Sequence, residues 1–166
     1  HRPNPQSRGL EEALLRERSP YRIYGGQRFF ERAEIKNAMA YLRLLEGRGN
    51  DAALERVINV PARGIGEKTV EAIREHARHS DVSMWEAMRQ LVANKGLTGR
   101  AAGALGGFVE LIENLAAKTQ DMPLHLMTQT VIEQTGLIAY HQAEKGEKGQ
   151  ARVENLEELV SAARNF

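Results

Sequence analysis

Apolar residues recur every three to four positions through most of the chain, and Gly or Pro interrupts them at short intervals. Such spacing predicts a series of amphipathic helices. Leu10 to Arg18 reads as a short helix ended by Pro20, and Tyr21-Arg22-Ile23-Tyr24 fits a short strand closed by Gly25-Gly26. From Phe29 to about Glu46, Phe30, Ile35, Ala38, Met39, Leu42 and Leu45 form one stripe, stopped by Gly47 and Gly49. Asp51 suits the N-cap of a helix through Ile58, with Leu54, Val57 and Ile58 inward and Pro61 ending it. Glu67 to about His79 follows, using Val70, Ile73 and Ala77.

Ser83, with Glu86 three residues on, reads as a capping box opening a helix through Val92. Thr98 caps a longer helix to Lys118 that carries Leu105, Phe108, Val109, Ile112 and Leu115. Gly103, Gly106 and Gly107 inside it each cost ~1 kcal/mol against Ala, or else permit close helix packing. Pro123 suits the first turn of a helix to about Gln134, and Leu137 to Glu144 is a short helix. Lys145-Gly146-Glu147-Lys148-Gly149 reads as a polar loop. The last helix is expected from near Ala151, with Val153, Leu156, Leu159 and Val160 inward. The expected fold is mainly α: a compact multi-helix domain, with one short N-terminal strand at most.

One connection carries more than a change of direction. In Val60-Pro61-Ala62-Arg63-Gly64-Ile65-Gly66-Glu67-Lys68-Thr69-Val70, a Gly-Ile-Gly turn joins two apolar-faced helices. The glycines let a ligand approach the backbone, and Ile65 plugs the gap between the helices. The first N–H groups of the second helix lack intrahelical partners, and the helix dipole adds partial positive charge there. A phosphate oxygen fits that place, with Arg63 and Lys68 adding charge and Thr69 a hydroxyl. The pattern resembles a helix-hairpin-helix, which holds DNA backbone without reading sequence. The competing reading is a tight connector with Gly64 as the residue after the helix end. A weaker echo stands at Lys95-Gly96-Leu97-Thr98-Gly99-Arg100, where an ordinary capped helix start is the simpler reading.

Charge sharpens this picture. Residues 1–50 carry 10 Lys and Arg against 6 Asp and Glu, and residues 56–100 carry 8 against 5. Residues 101–166 carry 5 against 9, so an anion-binding face belongs to the first hundred residues although the net charge is only +1. Aromatic residues are 5% of the chain, too few for a base-stacking platform as the main binding mode. The absence of cysteine removes disulfides, thiolate metal sites and a Cys nucleophile. No phosphate-loop motif is present, and His1, His76, His79, His125 and His141 show no metal-ligand spacing. Asp81 follows the hairpin, but Ser80-Asp81-Val82-Ser83 lacks the context of a glycosylase aspartate. No catalytic and no metal-binding residue is expected, nor a membrane span. The chain opens on His1 rather than Met, which fits a piece of a longer polypeptide or a trimmed chain.

Several segments together resemble the UvrD/PcrA/Rep-type superfamily 1 DNA helicases. Arg2-Pro3-Asn4-Pro5-Gln6-Ser7-Arg8-Gly9-Leu10-Glu11-Glu12 is similar to that family's Arg-x-Asn-x-Gln-Ser-Arg-x-x-Glu segment. The stretch Pro20 to Lys36, then Tyr41-Leu42-Arg43-Leu44, Arg63-Gly64-Ile65-Gly66 and Glu154-Asn155-Leu156-Glu157-Glu158-Leu159 follow in the family's order. The resemblance implies that residues 1–26 are the tail of the second motor domain, 2A, and that residues 27–166 are the accessory 2B subdomain with its return helix. It implies a parent 3′-to-5′ DNA helicase that uses ATP and Mg2+ and acts in nucleotide excision and mismatch repair. The fragment itself would hold no cofactor, and would sit in the bacterial cytoplasm, associated with the nucleoid. Partners implied are duplex DNA and the single-strand junction, the motor domains, and repair proteins. Duplex contacts would come from Arg63, Gly64, Ile65, Gly66, Lys68 and Thr69, and single-strand contacts from Arg2 and Asn4. Pro3 and Pro5 flank Asn4 where the family usually has small polar residues or Ala. The alternative role is a protein-interaction module that recruits or autoinhibits the helicase, suggested by the acidic final third.

Overall fold

The computed structural model describes residues 28–165. The expected helix at Leu10–Arg18, the strand at Tyr21–Tyr24 and the contacts Arg2 and Asn4 lie outside the described residues. One helical turn at residues 28–31 precedes eight helices, and no strand occurs among the described residues. The helices are α1 (Ala33–Glu46), α2 (Asp51–Val57), α3 (Glu67–Ser80), α4 (Met84–Ala93), α5 (Gly99–Thr119), α6 (Leu124–Gln134), α7 (Leu137–Ala143) and α8 (Glu147–Arg164).

Helix α1 is the hub. Of its predicted stripe, Ile35, Ala38, Met39, Leu42 and Leu45 are buried and Phe30, in the preceding turn, is half-buried; Ala40, Tyr41 and Leu44 on the other sides of the helix are buried as well. A helix buried all round must be enclosed by neighbours, and α2, α5, α6 and α8 all pack against it. Near its start, the buried Glu34 carboxylate accepts a hydrogen bond of 2.7 Å from Asn155 Nδ2 on α8. That contact answers the cost of burying a charge and joins the first and last helices of the described residues.

Local signals explain most boundaries. Asn50, not Asp51, caps α2, its Oδ1 accepting from the Ala53 N–H at 3.0 Å. Asp51 instead accepts from the Met84 N–H at 3.1 Å, tying α2 to the start of α4. Ser83 caps α4 as expected, accepting from the Glu86 N–H at 3.1 Å. Thr98 precedes α5 but makes no side-chain cap, and Pro123 is the N-cap of α6 rather than its first residue. Helix α3 stops where Asp81 enters the left-handed region (φ 55°), with the Asp81 and Val82 N–H groups both donating to the Ala77 carbonyl. Asp81 is therefore a helix terminator. Of the three glycines inside α5, only Gly106 has a neighbour where a Cβ would point, Val92 Cγ1 of α4 at 3.8 Å.

The largest difference from expectation is α8, which begins at Glu147 and takes in residues read as a loop. Gly149 makes this possible. A Cβ there would lie 2.5 Å from the His141 carbonyl oxygen and 2.8 Å from the Glu144 carbonyl oxygen. Only a glycine lets α8 press so closely on the end of α7. Glu144 holds the corner: its carboxylate bonds His141 Nδ1 and pairs with Arg152 Nη1 at 2.6 Å. Its pKa is lowered, chiefly by the hydrogen bond from His141 and further by Arg152.

Candidate nucleic-acid interface

The hairpin occupies residues 58–66, between α2 and α3. Ile58 ends α2, its N–H donating to the Leu54 carbonyl. The Val60–Pro61 peptide is cis. Asn59, just before it, organises the turn, its Oδ1 accepting from the Arg63 N–H at 2.7 Å and the Ile65 N–H at 3.1 Å. This is an Asx-type use of a short amide side chain to hold backbone that belongs to no helix. Gly64 reverses the chain at φ +85°, a region that costs an L-residue about 1–2 kcal/mol. Ile65 then drops into the core, 1% exposed, and locks the two helices together.

Gly66 is the N-cap of α3, extended at φ −85° and ψ 177°, with no side chain bonding the helix end. Its carbonyl accepts from the Thr69 and Val70 N–H groups, each at 3.1 Å. A Cβ on Gly66 would meet nothing within 4 Å, so the end of this 14-residue helix is open to solvent. Gly64, Gly66 and Lys68 are exposed and Thr69 is half-buried. Lys68 makes no ion pair among the described residues. Backbone donors, a dipole end and a lysine thus share one bare surface, the arrangement that holds a phosphate.

Glu67, in the first turn, carries the wrong sign for that task. It is drawn to Arg74, whose Nη1 bonds Glu67 and Glu71 at 2.8 Å each and whose Nη2 reaches Glu55 at 2.5 Å. The hydrogen bonds that Arg74 donates to Glu55 first, then to Glu67 and Glu71, raise its pKa above the ordinary value. The network links α2 to α3 and gives the Glu67 carboxylate a cation of its own.

Arg63 departs from its expected place. Its guanidinium turns inward: Nη1 donates to the carbonyls of Val57 (2.7 Å) and Ile58 (2.9 Å). Nη2 donates to Tyr41 Oη (2.6 Å) and to the Val60 carbonyl (3.4 Å). The group also sits 5.0 Å from the centre of the Phe108 ring. The sequence suggests a surface charge at Arg63 and points to neither Tyr41 nor Asn59 as its partners. Asn59 had a signal, an Asn shortly before a Pro-Gly turn, whereas Tyr41 lies outside the turn and carried none. Tyr41 is fully buried and donates to the Val60 carbonyl at 2.5 Å. Burial raises its pKa, opposed by the charge and hydrogen bond of Arg63.

The hairpin lies against α5, the helix that follows the second glycine turn. A Cβ on Gly64 would stand 3.7 Å from Ala104 Cβ, five residues into α5. Lys95 and Arg100, both exposed, flank the start of that helix. Elsewhere, a cleft of about 690 Å³ includes Trp85, Arg89, Glu113 and Met127 in its lining and shares no residue with the hairpin. Among the described residues no group of His, Cys, Asp and Glu could hold a metal ion, and no helix is long and apolar enough to cross a membrane. His76 instead bonds Gln90 at 2.8 Å between α3 and α4.

Residues 1–166 match the UvrD-like helicase C-terminal domain, as a whole and without singling out a 2B subdomain. The chain is 57% identical over 166 residues to DNA helicase II of Escherichia coli (strain K12) and 53% identical to that of Haemophilus influenzae. It is 37% identical to the ATP-dependent DNA helicase PcrA of Bacillus subtilis (strain 168). Each alignment covers all of this chain but only 22–23% of the relative, so the chain spans less than a quarter of those proteins. With every residue inside one family match, the chain belongs to the UvrD-like helicase C-terminal domain family.

Proposed function

We propose that this chain supplies the duplex-gripping part of an ATP-dependent 3′-to-5′ DNA helicase of DNA repair. In this reading residues 27–166 are the accessory 2B subdomain, residues 1–26 are the tail of motor domain 2A, and ATP with Mg2+ is bound elsewhere in the parent. Nucleotide excision and mismatch repair are the pathways in which such a parent acts, in the bacterial cytoplasm at the nucleoid. The observation that carries the reading is the open N-terminus of α3, where bare Gly66 and exposed Lys68 surround unused backbone donors. Contacts of this kind hold the phosphate backbone and leave the bases unread. Gly64, Ile65, Gly66, Lys68 and Thr69 form the contact; Gly64 and Ile65 shape it, and Gly66, Lys68 and Thr69 face the phosphate. Arg2 and Asn4 serve the single strand.

The test is duplex binding by the full-length protein across a salt series. Lys68→Ala should weaken binding to all sequences alike and reduce the slope of log affinity against log salt by about 1. Unchanged affinity and slope would refute the reading. A second role, contact with the motor domains or repair proteins, is favoured by α8, whose exposed Glu154, Glu157 and Glu158 repel DNA. Reversing Glu154 and Glu158 to Lys should then change unwinding by the parent while hairpin variants leave that protein contact intact. Unwinding at the original rate would count against this role.

A further inference from the structure

We propose that Arg63 is a positioning residue: its guanidinium, held between the carbonyls that end α2 and the Tyr41 hydroxyl on α1, keeps the hairpin in its phosphate-presenting shape and contacts no phosphate itself. The inference rests on the duplex-binding reading above and assigns a different task to one of its residues.

The donor inventory decides the matter. A guanidinium has five N–H donors, four of them on the two Nη atoms. Nη1 is committed to Val57 and Ile58, and Nη2 to Tyr41 and Val60, so only the Nε–H remains. A forked, bidentate grip on a phosphate needs two parallel donors, and this side chain has none to spare.

The carbonyls it serves need it. The last four carbonyls of any helix lack intrahelical partners. Helix α2 has only seven residues, too few to hold its end by its own cooperativity. Arg63 caps that end with a positive charge, the sign the helix C-terminus favours. Through Tyr41 it ties the turn to α1, and through the face of Phe108 to α5. Asn59 completes the clamp by holding the Arg63 and Ile65 N–H groups. The backbone leading into Gly66 is thus fixed by two side chains before any ligand arrives. Lysine cannot substitute, because one ammonium lacks the planar fork that serves four acceptors from two nitrogens.

The experiment uses the full-length protein and compares its affinity for a tailed duplex with that for a single strand of the tail's length, over a salt series. Arg63→Lys keeps the charge but loses the fork. It should lower duplex affinity roughly fivefold, the loss of one or two hydrogen bonds, with the salt slope unchanged. Tyr41→Phe keeps the ring in the core and removes only the hydroxyl. Tyr41 is 0% exposed, so no DNA contact is lost directly, yet duplex affinity should fall in the same direction. The double variant should be little worse than the more damaging single one, as expected for groups acting as a unit. Full affinity in Arg63→Lys, or a slope reduced by about 0.9 in Arg63→Ala, would overturn the proposal by making Arg63 a phosphate contact. Lys68→Ala and Gly66→Asp separate the two levels. If neither alters duplex affinity, the duplex-binding reading fails. If both lower it while Arg63→Lys and Tyr41→Phe do not, the positioning role alone fails.

Discussion

Gly66→Asp is expected to stabilise the fold and to weaken duplex binding. Gly66 already has the extended N-cap conformation, φ −85° and ψ 177°, that Asp adopts without strain. A Cβ there meets nothing within 4 Å, so no packing is disturbed. The carboxylate would accept from free N–H groups of the first turn, a gain over Gly of a few tenths of a kcal/mol. Its charge at the dipole's positive end adds about 0.3–1 kcal/mol. Together these raise the melting temperature by about 1–4 °C for a domain of this size. The same carboxylate occupies the place proposed for a phosphate. At ~4 Å the repulsion is about 1 kcal/mol at water's dielectric and about 4 kcal/mol at the effective value near a protein surface. Duplex affinity should therefore fall at least about fivefold. Thermal denaturation of the chain and fluorescence anisotropy with a labelled duplex, at one salt concentration, measure the two effects. Gly66→Asn is the control: it caps the helix without charge and should lose less affinity. A raised melting temperature with unchanged duplex affinity would show that no phosphate sits at the start of α3. A lowered melting temperature would refute the cap geometry itself.

Gly149→Ala should be the most damaging alanine substitution among the described glycines, because the backbone oxygens 2.5 and 2.8 Å from the added methyl cannot move without separating α7 from α8; a loss of more than about 2 kcal/mol in urea denaturation is expected. Gly64→Ala should cost about 1–2 kcal/mol through its positive φ alone, since Ala104 Cβ at 3.7 Å is an ordinary contact, and Gly64→Asn should cost less in the same assay. The lowered pKa of Glu144, due first to His141, implies stability that is present above the unfolded glutamate value of about 4.3 and lost as pH falls through the folded value. The melting temperature of Glu144→Gln should accordingly lie below that of the parent at neutral pH and converge with it in acid; a constant difference would refute the linkage.

Short-range chemistry made much of this molecule legible from its sequence. The spacing of Val70, Ile73 and Ala77, the Ser83 cap and the Gly64-Ile65-Gly66 turn each express rules that act within a few residues. Boundaries failed where two local options were nearly equal, as with Asn50 and Asp51, and a contact from α4 chose between them. Other failures had no local signal. The α8 start depends on Gly149 meeting a carbonyl of α7, and the burial of Glu34 depends on Asn155, 121 residues away. Arg63 is the instructive case for the candidate site. A cation in a glycine turn reads as a phosphate ligand, because sequence displays its charge but not the four acceptors competing for it. Those acceptors are the carbonyls of Val57, Ile58 and Val60 around the end of α2 and a hydroxyl on α1, 22 residues earlier. The sequence by itself determined a mainly helical chain with a bare glycine hairpin, because helix periodicity and turn chemistry are local. Only the tertiary structure decided which hairpin residues face solvent and which hold the hairpin in shape, because that depends on partners brought together by folding.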